Sequence, residues 1–308
     1  MARRLQSRIA GSKLALPVVS VYTIGIWLLA GLLSHQWWLQ FGLFVLATFL
    51  MMQLNNLNSL VRIYSRMVSC TFLALMCCAS FLFPSVPGTF MQTCFIGALL
   101  VLFTSYQDKQ STGTMYYAWL LIGMASLSFV QVLYYLPLLW LLTATTLQSL
   151  TWKSWGASLL GLLTPYWVAV CWLTVQGDFS PLVSHFAGLA DFSMPFQTLT
   201  LTDGQTATAA LVVLMALTGT IHYMRQYHDD RIRTRLIYSF FIWTGIFTLV
   251  FLLLQPQHYD FLMRILIVCT APLMGHFLAL TSTKITQAAF FFYIGVTLMI
   301  TGYNLWMS

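Results

Sequence analysis

Glutamate is missing from all 308 residues, so the seven acidic side chains are aspartates. This leaves few carboxylates for general acid or base work. Charge of either sign is scarce: 7% of residues are charged against 59% hydrophobic. A soluble domain carries roughly a quarter charged residues. In water this composition would leave an apolar, aggregating surface, whereas in lipid it is expected. Familiar catalytic signatures are absent too. The chain has no glycine-rich phosphate loop, no H-E-x-x-H and no nucleophile elbow. Its six cysteines sit in apolar runs without metal-site spacing, so they read as small buried hydrophobes and no metal or cofactor is expected.

What the sequence does have is long apolar runs. A membrane span needs about 20 apolar residues. Eleven segments qualify, at about 14–34, 37–53, 66–84, 88–106, 114–129, 131–148, 153–176, 206–224, 235–254, 259–281 and 285–306. The expectation is an all-α polytopic transmembrane bundle, forming a single integral membrane domain over 1–308. The stretch 114–148 carries no charge. As one helix it would measure about 50 Å, too long for a core of about 30 Å. Two short helices meeting near Ser126, Ser128 and Gln131 fit better. The N-terminal Arg3, Arg4, Arg8 and Lys13 precede a run long enough to span, so they read as a basic anchor rather than a signal peptide.

Orientation follows from the basic residues. With eleven spans and a cytoplasmic N-terminus, thirteen of the fourteen Lys and Arg residues fall in inside loops. The C-terminus is then outside. The net charge of +7 needs no nucleic-acid partner. Arg225, Arg231, Arg233 and Arg235 form the largest basic group and read as a cytoplasmic anchor, with anionic-lipid or partner contact as the functional version. Asn55, Asn56 and Asn58 read as helix caps. His276 is expected to hold a hydrogen-bonded packing role, with a proton path as the sharper alternative.

The longest outer loop, 177–205, contains no Lys or Arg. Ser180-Pro181 suggests a cap and first turn, and Leu182, Val183, Phe186 and Leu189 recur at helical spacing. An interfacial helix over 181–192 follows, ended by Met194-Pro195. Pro137, Pro165 and Pro272 lie inside spans and are expected to kink them. Ala157 and Gly161 make a small-xxx-small pair suited to close helix contact.

The exception to the charge rule is Arg264. Asp260 lies four residues before it, on the same helical face. The plain reading is an intrahelical ion pair near the outer interface. The functional reading is an anion or lipid-phosphate site built from Arg264, Asp260, His258 and Asp191, since a guanidinium grips phosphate in bidentate fashion.

Asn58-Ser59-Leu60, F-L-F-P at 81–84, A-W-L-L-I-G-M-A-S-L-S-F-V at 118–130 and W-G-A-S-L-L-G-L-L-T-P-Y at 155–166 carry a resemblance. The stretch from Asn55 to about Trp172 resembles an uncharacterised family of polytopic inner-membrane proteins from Gram-negative bacteria. That resemblance implies a bacterial inner membrane and brings no activity or catalytic residues. Three roles remain open: a non-catalytic membrane subunit or scaffold, with membrane lipid and other membrane proteins as partners; a transferase acting on a lipid-linked, polyprenyl-phosphate type substrate at the outer face, with Asp191 or Asp178 as base; and a small-molecule or ion transporter. The first outer loop, Ser34-His35-Gln36-Trp37, lacks the acidic residue usual in polyprenyl-phosphate-dependent glycosyltransferases. The scarcity of midplane charge speaks against transport.

Overall fold

The computed structural model describes residues 5–192, 201–281 and 283–307. Among them there is no strand. The helices are α1 (Leu5–Ala10), α2 (Ala15–Leu29), α3 (Trp38–Asn58), α4 (Met67–Cys78), α5 (Val86–Leu102), α6 (Thr112–Ser128), α7 (Leu136–Leu142), α8 (Trp152–Gln176), α9 (Ser180–Ala187), α10 (Asp203–Gln226), α11 (Ile232–Leu254), α12 (Tyr259–Leu280) and α13 (Lys284–Met307). Every one of the eleven apolar segments is helical. Among the described residues eight helical stretches are long and apolar enough to cross a membrane: 38–58, 86–105, 130–147, 152–176, 203–229, 232–254, 256–280 and 284–307. The other three segments are shorter, with 15 residues in α2, 12 in α4 and 17 in α6.

The bundle is organised around α12, which packs against α4, α5, α10 and α11. Its apolar stretch is 89% buried, so it is enclosed by protein and not by lipid. One flank is a row in which α3 contacts α5, α5 contacts α6 and α6 contacts α8. On the other flank α13 packs on α10 and α4, and α2 packs on α4.

The uncharged stretch 114–148 is a hairpin. Phe129 leaves the helical conformation (φ −148°, ψ 97°) between α6 and a 3₁₀ turn at Val130–Tyr135 that leads into α7. Trp119 and Trp140, nearly equidistant from that break, stack with ring centroids 5.2 Å apart. Pro137 therefore does not kink a span. It occupies the first turn of α7, where no amide hydrogen is needed. Pro165 and Pro272 do lie inside α8 and α12. The small-xxx-small pair has its contact: a Cβ on Gly161 would run into the Tyr116 carbonyl of α6.

The outer-loop helix is shorter than the pattern predicts. It ends at Ala187, a 3₁₀ turn follows at Gly188–Ala190, and Met194-Pro195 lies outside the described residues. Ser180 is not its cap. Phe179 holds the cap position without a capping side chain, and Asp178 just before it accepts from the Ser180 amide at 2.8 Å and the Ser180 hydroxyl at 2.9 Å. Those donors hold the exposed Asp178 carboxyl below the usual carboxylate range.

Candidate functional site

Arg264 is fully buried on α12. Its Nη1 donates to Thr89 Oγ1 at 3.1 Å and to Gln92 Oε1 at 3.2 Å, and its Nη2 donates to the Leu82 carbonyl. All three acceptors belong to α5 or to the turn before it. The F-L-F-P sequence makes that turn. Ser80–Leu82 is a 3₁₀ turn, Phe83 stacks on Trp27 at 3.9 Å, and the Pro84 carbonyl accepts from Gln40. Helix α5 then begins with Ser85 as cap and Pro87 in its first turn. Gly88 completes the seat, because a Cβ there would lie 2.6 Å from Arg264 Nε. A guanidinium buried in protein carries five donors, and this pocket of backbone and neutral side chains gives acceptors to three of them while Nε has none.

The intrahelical ion pair is not formed. Among the described residues the ion pairs are Arg62–Asp229, Arg62–Asp230 and His276–Asp230, and none joins Asp260 to Arg264. The physical reason is that the guanidinium turns toward α5, where it finds several fixed acceptors at once. Asp260 is half-buried one turn away.

His258 and Asp191 lie elsewhere, at the tip of the hairpin. His258 packs its ring edge-on against Phe129, which in turn stacks on Phe261 at 4.3 Å. Gln257 donates to the Asp191 carbonyl at 2.9 Å. The segment after α9 covers the tip: Gln131 donates to the Gly188 carbonyl and Tyr134 to the Leu189 carbonyl. Below it, Tyr166 stacks on Phe186 and hydrogen-bonds Ser126. The four candidate residues therefore separate into an enclosed tie at Arg264 and a capped hairpin tip at His258 and Asp191.

A third cluster lies at the opposite end of α12. The Asp230 side chain is fully buried between two bases. His276 Nε2 is 3.0 Å from one carboxylate oxygen and Arg62 Nε is 2.9 Å from the other. Arg62 also reaches Asp229 at 3.4 Å and Gln226 at 3.2 Å. A polar cavity of about 510 Å³ opens beside it, lined by Asn55, Arg62, Ser65, Asp230 and Arg231 among others. His276 thus has the hydrogen-bonded role expected of it, with a partner 46 residues away. Residues of the basic anchor diverge. Arg233 donates to Asn58 Oδ1 and the Phe103 carbonyl, Arg235 lies 4.8 Å over the Tyr227 ring, and Arg225 and Arg231 are exposed. Sequence reading missed the Arg62–Asp230–His276 unit. Its one signal was a histidine and an arginine at the same ends of their segments as an Asp-Asp pair.

Among the described residues no group of three His, Cys, Asp or Glu side chains is placed to hold a metal ion. No family model, curated protein or solved structure matches the chain.

Proposed function

We propose that the chain is an eleven-span protein of a bacterial inner membrane, with a cytoplasmic N-terminus and an external C-terminus, that serves as a non-catalytic membrane subunit or scaffold. One observation carries the role: the cation that stands out in the sequence, Arg264, directs its terminal donors to Leu82, Thr89 and Gln92 and so holds α12 to α5. Its side chain is fully enclosed by protein, so a phosphate has no surface from which to reach it, although Nε finds no acceptor. The topology has its own support. Loops assigned inside meet one another, as Arg62 meets Asp230 and Arg233 meets Asn58. Segments assigned outside also meet, as Gln257 meets Asp191 and Tyr259 meets the Gln205 carbonyl. The bacterial inner membrane rests on the resemblance.

Mild detergent extraction from native membranes tests the role. Recovery with a stoichiometric partner is the expected result, and recovery of the monomer alone across several detergents counts against it. A second reading, a transferase for a lipid-linked phosphate at the outer face, is favoured by the meeting of His258 and the Asp191 loop. It requires a polyprenyl phosphate to raise the melting temperature of the purified protein, with the rise lost in His258→Ala.

A further inference from the structure

We propose that the chain holds one anionic phospholipid in a lateral slot between α2, α4 and α13, with the phosphate over Arg8, Lys13 and Lys284. The slot is a cavity of about 580 Å³ whose walls include Val18, Tyr22, Ala74, Met274, Tyr293 and Leu298. Its lining is almost wholly apolar, and none of its wall residues is charged. Val18 and Leu298, on α2 and α13, are 65% and 49% exposed, so the slot opens sideways between those helices. A sideways-opening apolar slot within a bundle of spans meets acyl chains, not water. The short α1 closes one end, where Ile9 and Ser12 join the lining. It is fixed by Gln6, a buried side chain that donates to Thr281 Oγ1 at 2.7 Å and to the Leu278 carbonyl at 3.1 Å.

The charge at that end selects the headgroup. Arg8 precedes Ile9, Lys13 lies between Ser12 and Leu14 of the lining, and Lys284 opens α13 three residues beyond Thr281. All three are exposed, and none belongs to an ion pair among the described residues. The sequence has no acidic residue before Asp108 or after Asp260, so nothing nearby along these segments neutralises them. Apolar walls ending at unpaired cations match a fatty chain ending at an anionic phosphate. Basic residues at a membrane surface attract anionic lipid, each by roughly fivefold. The assignment rests on the proposed membrane topology but not on the scaffold role, because it concerns the isolated chain.

Native mass spectrometry of the full chain, incubated with palmitoyl-oleoyl phosphatidylglycerol or with the corresponding phosphatidylcholine, tests it. We expect one phosphatidylglycerol retained about tenfold or more over phosphatidylcholine. In Arg8→Gln/Lys13→Gln/Lys284→Gln that preference should vanish while retention of phosphatidylcholine persists. Should the triple variant fail to fold, Lys13→Gln alone, at an exposed position, should lose part of the preference. Ala74→Phe, which fills the slot, should lower retention of both lipids. Equal retention of the two lipids by the wild type, an unchanged preference in the cation variants, or unchanged retention in Ala74→Phe would each overturn the proposal. So would a dimer that seats a second copy's helix in the slot. A failed topology would be read separately, by reporter fusions on either side of the spans.

Discussion

At the residue scale, Arg264 was visible in the sequence as the one cation on the wrong side of the charge rule, but its partners were not. Periodicity points to Asp260, four residues away, because helical geometry is local. The actual acceptors lie more than 170 residues upstream in α5 and its leading turn, beyond any pattern within α12. Hydrogen bonds to a charged group contribute about 1.5–3 kcal/mol each, offset by the burial of the charge. Arg264→Ala should therefore destabilise the detergent-solubilised protein by about 3 kcal/mol, read as a lowered melting temperature. Since Asp260 is not in ion-pair contact, Arg264→Ala combined with Asp260→Asn should be close to additive, with a coupling below about 1 kcal/mol. A large compensating recovery in the double variant would restore the intrahelical pair. Gly88→Ala supplies an independent check. The added methyl meets the guanidinium at 2.6 Å, so the variant should lose stability although no hydrogen-bonding group is removed. Asp230 sits under the same logic at the other end of α12. Asp230→Asn removes the buried carboxylate that Arg62 and His276 share and should destabilise by a few kcal/mol, whereas the exposed neighbour in Asp229→Asn should change the melting temperature little.

At the element scale, the hairpin at 114–148 was legible because length alone forbids one span. Its tip was not, because the covering segment comes from residues 188–191 and bonds through backbone carbonyls, which carry no sequence signature. The outer helix was read about five residues too long for a related reason. Leu189 continues the apolar spacing, but the backbone there has already tightened to 3₁₀ so that the Leu189 carbonyl can accept from Tyr134. The contact of α6 with α8 was only hinted at by Ala157 and Gly161, and the structure shows why spacing works there: small side chains let the backbones touch. Gly161→Leu should force α6 and α8 apart and lower stability by more than Gly156→Leu, whose added Cβ meets nothing within 4 Å. Comparable melting temperatures for the two variants would mean that α6 and α8 do not pack as closely as described.

At the scale of the whole molecule, the number of crossings depends on the three shorter helices, α2, α4 and α6. The 12 residues of α4 rise only about 18 Å, short of a hydrocarbon core of about 30 Å. Yet α4 is almost entirely buried, on contacts with α2, α3, α12 and α13, so a short helix here need not meet lipid along its length. The chain before and after it supplies the missing depth, through residues 59–66 on one side and the Ser80–Leu82 turn on the other. The same holds for the 17-residue α6, whose tip is covered by the segment after α9 rather than by headgroups. Counting only long apolar helices gives eight crossings and would leave the two chain ends on the same side. Counting the short ones as well gives eleven, and places Gln40 with Pro84, Gln107 with Leu147, and Gln6 with Thr281 on shared faces as their contacts require, whereas eight would part each pair. Contacts therefore favour the longer count where length does not. Reporter fusions should read inside after Lys153 and outside after Asp203, and a fusion following Pro84 should read outside. An inside signal after Pro84 would remove α4 as a crossing, reverse everything downstream of it, and make the meeting of Arg62 with Asp230 impossible across an intact bilayer.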